Sequence, residues 1–156
     1  MAQQVTGPGE SNDLIRAITE DFASRFVPRS TLVFVGDTAD KGTHFDSDRL
    51  AALDVPVDSQ GKMPDVVLHN AERGWLILVD AVTSHGPIDH QRHAELTELF
   101  AEAQAGIVYV TAFPTRAAIA RYLADIAWHT TVWVADEPSH LIHFNGGRLL
   151  TPYGTK

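Results

Sequence analysis

The segment DAVTSHGP, residues 80–87, places chemically active side chains at the end of an apolar run. The five residues before it, WLILV, are apolar enough to form a strand that is buried on both faces. A carboxylate (Asp80) follows, then two hydroxyls (Thr83 and Ser84) and an imidazole (His85), before a Gly-Pro sequence that ends regular structure. Such groups bind cations and transfer protons, so their position predicts a functional site at this strand end.

Two further acids stand at comparable positions in the sequence. Asp37 follows the β-branched and aromatic run 31–35, and Asp65 begins the run 65–68 directly after a proline. In an antiparallel meander the end of one strand lies beside the start of its neighbour. We therefore expect Asp37, Asp65 and Asp80 to meet at one end of a sheet.

The elements that must position these acids are predicted from hydrophobic periodicity and turn residues. An apolar residue at every fourth position, from Leu14 to Phe26, predicts an amphipathic helix that stops near Pro28. The predicted strands are residues 31–35, 65–68, 75–82, 107–110, 130–135 and 141–144, and the later helices are residues 88–104 and a segment that starts at Pro114. Residues 38–62 are expected to be a long irregular excursion with one helical turn near residues 49–53.

The order of these elements predicts an α/β fold with a mixed central sheet and helices on both faces. A short link between the second and third strands favours antiparallel pairing, whereas the helix after residue 82 makes the next strand parallel. One helix, a three-stranded meander and a crossover helix, in this order, are typical of the PD-(D/E)xK nuclease core.

Three carboxylates at one place repel one another unless a cation balances them. Oxygen donors suit Mg²⁺, which keeps several waters for substrate phosphates. The cluster therefore predicts a divalent-metal site for phosphoryl chemistry. A structural explanation fits the spacing equally well: Asp65 would cap a turn after Pro64, while Asp37 and Asp80 would be ordinary acids at strand ends.

Composition limits the other function classes. The 156 residues predict one globular domain, residues 11–156, after a flexible polar tail, residues 1–10. Cys is absent, which excludes disulfides and thiolate metal sites, and neither a membrane span nor a signal peptide is recognisable, so we expect a cytoplasmic protein. The net charge of −8 argues against a broad basic face for nucleic acid.

A family resemblance is carried by six segments that follow one another over residues 13–153. They are LVFVGDTADKG, GKMPDVVL, WLILVDAVTSHGP, AGIVYVTAFPTRA, DIAWHTTVWVADEPSHLIHFNG and RLLTPY. AVTSHGP followed at this distance by VYVTAFP is the most specific part, whereas GDT or PD alone would carry no information. These segments resemble the catalytic domain of the BsuBI/PstI restriction endonuclease family.

The resemblance implies a Mg²⁺-dependent type II restriction endonuclease domain that hydrolyses double-stranded DNA, with Mn²⁺ as a substitute metal. Asp65 of MPD then matches the first acid of the PD-(D/E)xK motif, and Asp80 matches the second. The metal would be held by these two acids and the Ala81 carbonyl, with Asp37 and Ser84 as additional site residues. Cutting both strands would call for a homodimer.

Two positions depart from the family pattern. The motif lysine is expected two residues after the second acid, where this chain has Val82. A lysine there would stabilise charge on the phosphate or orient the attacking water. We expect Lys41 to replace it, with His85 and then Lys62 as alternatives; each of these side chains could equally be a solvated loop lysine or a cap for the Gly-Pro break. The second departure is Asp80, where the family pattern has glutamate.

The sequence is also compatible with other functions. Family enzymes carry an N-terminal region for DNA recognition, and this chain is expected to lack it, as a solitary or excised catalytic domain or as a relative that no longer cleaves. A non-catalytic interaction module of the same fold is the main alternative. Arg92 and Arg116 begin helices near the predicted site, where they would meet phosphates or be ordinary exposed arginines. Two histidine pairs have spacings that can bind zinc, although surface histidines explain them better: His90 and His93, His140 and His143.

Overall fold

The computed structural model describes residues 8–36, 44–56, 63–83 and 85–147. The helices are α1 (Pro8–Ala17), α2 (Ala23–Phe26), α3 (Ser47–Ala52), α4 (His90–Leu99) and α5 (Arg116–Tyr122). A π-helical segment (Ile18–Phe22) joins α1 to α2, and a 3₁₀ turn (Leu123–Asp125) follows α5. The strands are β1 (Thr31–Val35), β2 (His44–Phe45), β3 (Val66–Asn70), β4 (Trp75–Ala81), β5 (Gly106–Phe113), β6 (Thr130–Val134) and β7 (Leu141–Phe144).

These strands form one seven-stranded mixed sheet in the order β2-β1-β3-β4-β5-β6-β7. The strands β1, β3 and β4 pair antiparallel, β4, β5 and β6 pair parallel, and β7 returns antiparallel to β6. Helix α4 makes the crossover between β4 and β5, as a parallel pair requires. The predicted mixed sheet with a meander and a crossover helix is confirmed.

Alternation along β4 assigns its side chains to the two faces of the sheet. Leu76 and Leu78 pack in a cluster with residues of α3 and α4, whereas Ile77 and Val79 pack with residues of the α1–α2 helix. All four are fully buried. Because side chains of a strand alternate with a period of two, Asp80 belongs to the face that α4 covers.

The turn between β3 and β4 is tightly specified. The buried Asn70 accepts the Arg73 N–H on its Oδ1 (2.9 Å) and donates its Nδ2 to the carbonyl of Pro28 (3.1 Å). Gly74 has a φ of 73°, a left-handed conformation that glycine adopts without a steric cost. These contacts determine where β4 begins relative to β3.

The structure differs from the expected elements in several places. The helical turn expected near residues 49–53 is present as α3, whose N-cap Asp46 accepts the Arg49 N–H, but the same excursion also forms the unexpected strand β2. Helix α4 is shorter than predicted at both ends. Asp89 caps its start while the Ile88 N–H bonds to Thr111 Oγ1, and the helix ends at Leu99 because Phe100 leaves the helical conformation (φ −102°, ψ 18°). Helix α1 begins at Pro8, inside the segment expected to be a tail. No helix in the described ranges is long and apolar enough to cross a membrane.

Candidate active site

The β3–β4 hairpin brings Asp65 and Asp80 side by side. The two strands pair with Val66 opposite Val79, so the next position outward sets Asp65 opposite Asp80. The Asp65 N–H donates to Asp80 Oδ1 (3.2 Å), and the Ala81 N–H donates to Asp65 Oδ2 (2.7 Å). Two of the three acids that were expected to converge are therefore adjacent: Asp80 accepts from the backbone of Asp65, and Asp65 accepts from the backbone of the residue after Asp80.

Strand β1 leads to the same place, because the Gly36 N–H donates to the carbonyl oxygen of Asp65 (2.9 Å). The expected convergence of the third acid, which follows Gly36, stays a prediction. Several residues predicted for the site lie outside the described part of the chain: Asp37, Lys41, Lys62 and Ser84.

The pKa of Asp65 is raised from 3.8 to about 6 at this position. Burial is the largest cause, and the negative charge of Asp80 is the second. The hydrogen bond from Ala81 and the charges of Arg92 and His85 act in the opposite direction but do not outweigh them. The folded protein makes the ionised form of Asp65 unfavourable, and a cation bound beside it would offset this free-energy cost. The site therefore favours cation binding.

Arg92 forms a two-pronged ion pair with Asp80. Its Nε lies 2.7 Å from Asp80 Oδ2, and its Nη2 lies 3.3 Å from Asp80 Oδ1. The same Nη2 donates to the carbonyl of Met63 (3.0 Å), and Nη1 lies 3.7 Å from Glu95 Oε1. The side chains of Arg92 and Asp80 are only 21% and 11% exposed, so water screens their attraction weakly.

The position of Arg92 follows from two periodicities that meet on one face of the sheet. Along α4, Arg92 precedes the buried Leu96 and Phe100 in steps of four, so all three side chains point to the sheet. Along β4, Asp80 continues the row of buried leucines that these helix residues cover. Arg92 was expected near the site edge. Its pairing with Asp80 was not predicted, although its spacing from Leu96 and Phe100 is visible in the sequence.

A cleft of about 400 Å³ opens beside the two acids. Arg92 and His85 line it together with the carboxylates, and Met63 and Pro87 supply apolar wall. His85 is exposed to solvent there, close enough for its charge to act on Asp65. Of the residues predicted to serve in place of the motif lysine, His85 is the one that the structure describes, and it lies in the cleft.

The donor set at this cleft fits a hard divalent cation. Asp65, Asp80 and the Ala81 carbonyl offer oxygen, and Mg²⁺ needs few protein ligands because it keeps several waters. The described residues contain no group of three or more His, Cys, Asp or Glu suited to a metal, so the zinc alternative finds no ligand set among them.

Comparison with known proteins identifies the family to which this chain belongs. The BsuBI/PstI restriction endonuclease domain model matches residues 2–147. Type II restriction enzyme BsuBI from Bacillus subtilis is 59% identical over 146 residues, which cover 94% of this chain and 46% of that protein. Type II restriction enzyme AplI from Arthrospira platensis is 28% identical over 150 residues, which cover 92% of this chain and 46% of that protein.

The structure of SdaI restriction endonuclease superposes with a TM-score of 0.86 and 45% identity, covering 92% of this chain and 46% of that chain. The chain thus spans about half the length of the relatives it matches. The fold is that of a PD-(D/E)xK-like restriction endonuclease domain, as predicted. The family match over most of the sequence, together with an acid pair at the expected strand ends, shows that this chain belongs to the BsuBI/PstI restriction endonuclease domain family.

Proposed function

We propose that this chain is the catalytic domain of a type II restriction endonuclease and hydrolyses phosphodiester bonds of double-stranded DNA with the help of Mg²⁺. The observation that carries the proposal is the contact of Asp65 with Asp80 at the mouth of a cleft, on a fold shared with restriction endonucleases. Mn²⁺ would replace Mg²⁺, because both accept the same oxygen donors.

Asp65, Asp80 and the Ala81 carbonyl would hold the divalent cation. When bound, this cation polarises the scissile phosphate and makes a water molecule a better nucleophile. The raised pKa of Asp65 supports this assignment, since a bound cation would balance the negative charge of the Asp65 carboxylate, which burial and Asp80 make unfavourable.

Hydrolysis adds the oxygen of a water molecule to phosphorus and breaks the bond to the 3′-oxygen. The water loses a proton, the leaving oxygen gains one, and the products are a 5′-phosphate and a 3′-hydroxyl. We assign proton transfer to His85, an exposed imidazole in the cleft. Lys41 is proposed to orient the attacking water, as the motif lysine would, with Asp37 and Ser84 as further site residues.

The proposed partners are duplex DNA and a second copy of the chain, because cutting both strands at one site needs two active centres. The names of the two sequence relatives support this substrate, since both are type II restriction enzymes. A net charge of −8 means that DNA contacts would be local to the cleft. We propose a cytoplasmic location, where such an enzyme would meet its DNA.

The direct test is incubation of the chain with plasmid DNA in Mg²⁺ or Mn²⁺. We expect nicked and linear products, and none with EDTA. The variant Asp65→Asn should lose cleavage, whereas the matched control Asp21→Asn, which removes an exposed carboxylate on the π-helical segment, should cleave like the parent. Equal cleavage by Asp65→Asn and its parent would contradict the site, and intact plasmid under every condition would contradict the function.

A non-catalytic interaction module is the second candidate, and one observation favours it. Val82, at the position of the motif lysine, is 3% exposed and packs with Phe113 and Ile119 in an apolar cluster. A chain that had abandoned catalysis would be free to bury this position. The plasmid assay separates the two candidates, because only the enzyme produces metal-dependent cleavage.

A further inference from the structure

The site needs a positive charge that its motif position does not provide. A lysine two residues after the second acid would face the scissile phosphate, but Val82 is buried and does not line the cleft. Its neighbours Phe113 and Ile119 belong to the apolar cluster beneath α5. Any cation acting on the phosphate must therefore come from another element.

Helix α4 delivers a cation to the cleft. Arg92 lines it, and its guanidinium contacts both oxygens of Asp80 at 2.7 and 3.3 Å. Its Nη2 is also anchored by the Met63 carbonyl (3.0 Å). A metal ion that used Asp80 as a ligand would have to take an oxygen that Arg92 holds in the structure.

We propose that Arg92 is the phosphate-binding cation of this site, and that its guanidinium changes partner from Asp80 to the DNA phosphate when a divalent cation takes Asp80. This inference rests on the proposed function and adds a residue to it. It gives Arg92 the charge-stabilising part of the motif lysine's role, and leaves water positioning and proton transfer to Lys41 and His85.

The chemistry of the guanidinium supports such an exchange. Its planar fork of donors matches a carboxylate and a phosphate equally well, and arginine keeps its charge in either partnership. A divalent cation on the same carboxylate would repel the guanidinium at a distance of a few ångströms. The flexible arginine stem lets the charged group move while Asp89 still caps the start of α4 through the Arg92 backbone N–H (2.8 Å).

A bound divalent cation removes the electrostatic repulsion between the cleft and its substrate. The charged side chains that line the cleft are Asp65, Asp80, Asp89 and Arg92, so their net charge without metal is about −2, which repels DNA. A divalent cation brings this sum to about zero, so a phosphodiester is no longer repelled. Metal binding and phosphate binding should therefore strengthen each other, by the reciprocity that links any two coupled ligands.

The test uses Arg92→Met, which keeps much of the side-chain bulk and removes the charge, and Arg92→Lys, which keeps the charge. The matched control is Arg29→Met, because Arg29 is also paired with a carboxylate, Glu72 (2.7 Å), and is 71% exposed. Calorimetric titration with Mn²⁺ in the absence of DNA measures competition for Asp80. We expect Arg92→Met to bind Mn²⁺ roughly tenfold more tightly than the parent, the effect of one lost neighbouring charge, and Arg29→Met to bind as the parent does.

Two further measurements address the phosphate. At saturating Mn²⁺, Arg92→Met should cleave about 10² to 10³ times more slowly, as for one lost electrostatic donor, and Arg92→Lys should keep part of the rate. Affinity for duplex DNA in Ca²⁺, measured by fluorescence anisotropy, should fall in Arg92→Met and stay unchanged in Arg29→Met. Tighter metal binding together with weaker DNA binding is a combination that loss of a purely structural arginine would not produce.

The outcomes separate the inference from the function. Weaker or unchanged Mn²⁺ affinity in Arg92→Met, or in the neutral variant Arg92→Gln if the methionine variant does not fold, would show that Arg92 only orients Asp80. Tighter Mn²⁺ binding with parental DNA affinity would refute the phosphate contact. If the parent does not cleave DNA at all, the proposed function fails, while the Mn²⁺ and DNA titrations still decide the role of Arg92.

Discussion

Replacing Asp65 by asparagine is expected to stabilise the metal-free protein at alkaline pH. The pKa of Asp65 rises from 3.8 to about 6, because burial and Asp80 disfavour its charged form. Each pKa unit corresponds to about 1.36 kcal/mol, so the ionised carboxylate costs the folded state about 3 kcal/mol. Asparagine has no charge, and its side-chain oxygen can still accept the Ala81 N–H. For a chain of this size, the gain corresponds to a rise in Tm of roughly 6 to 12 °C.

The gain should depend on pH in one direction. A carboxyl group with a raised folded-state pKa favours folding below its unfolded value of 3.8, and this contribution is lost as the pH rises through about 6. The free energy of unfolding of Asp65→Asn should therefore exceed that of the parent most at about pH 8. The difference should shrink through pH 6 and disappear near pH 4.

Thermal and urea denaturation in EDTA, followed by circular dichroism, measure this difference. The companion variant Asp80→Asn should behave in the opposite way and lose about 2 kcal/mol, because it leaves the part-buried guanidinium of Arg92 without its carboxylate. An Asp65→Asn variant that is no more stable than its parent at pH 8, or whose gain is the same at pH 4 and pH 8, would contradict the cost assigned to the ionised carboxylate.

Three other outcomes are expected. Lys41→Ala should slow single-turnover cleavage by about 10² to 10³ while metal affinity stays equal or rises; the same loss confined to His85→Ala would move the role to that imidazole. Burial, with His129 and His90 adding to it, lowers the pKa of His93, so the protein should lose stability as the pH falls below about 6.5, and His93→Gln should flatten this loss in thermal melts between pH 7 and 5. Affinity for duplex DNA should be weak and change little with log salt concentration, since few counterions are released; a steep slope in a salt titration would reveal an unrecognised basic surface.

The sequence was sufficient to predict how Asp65 and Asp80 meet. Both acids flank strands of strong β propensity, and the short turn-like segment between these strands allowed only antiparallel pairing. That pairing places the start of β3 beside the end of β4, as the structure has it. Local patterns decide this part of the site, so no tertiary information was needed.

Arg92 and α3 show what local sequence patterns could not predict. Periodicity places Arg92 on the face of its helix that covers the sheet, but whether it meets a carboxylate there also depends on how the helix crosses the sheet, which is a property of packing. Helix α3 has only six residues and a single buried side chain, Leu50, so periodicity indicated no more than one turn there, although Asp46 is a recognisable N-cap. The pairing of Arg92 with Asp80 and the full length of α3 became evident only from the contacts in the structure.

The hairpin turn has a consequence for how securely the acids are aligned. Every residue of β3 is buried, and apolar side chains point to both faces of the sheet, so a strand slipped by one residue would still bury its valines and leucine. The burial of apolar side chains therefore hardly distinguishes the native alignment of β3, on which the position of Asp65 depends, from a slipped one. The turn contacts of Asn70, and the left-handed conformation of Gly74 beside it, select one alignment among these nearly equal ones. Asn70 is five residues along the strand from Asp65, a distance of about 17 Å. With one residue inserted at that turn, the domain would still fold and pack well. One of the two carboxylates, however, would point to the opposite face of the sheet, and the acid pair would be lost.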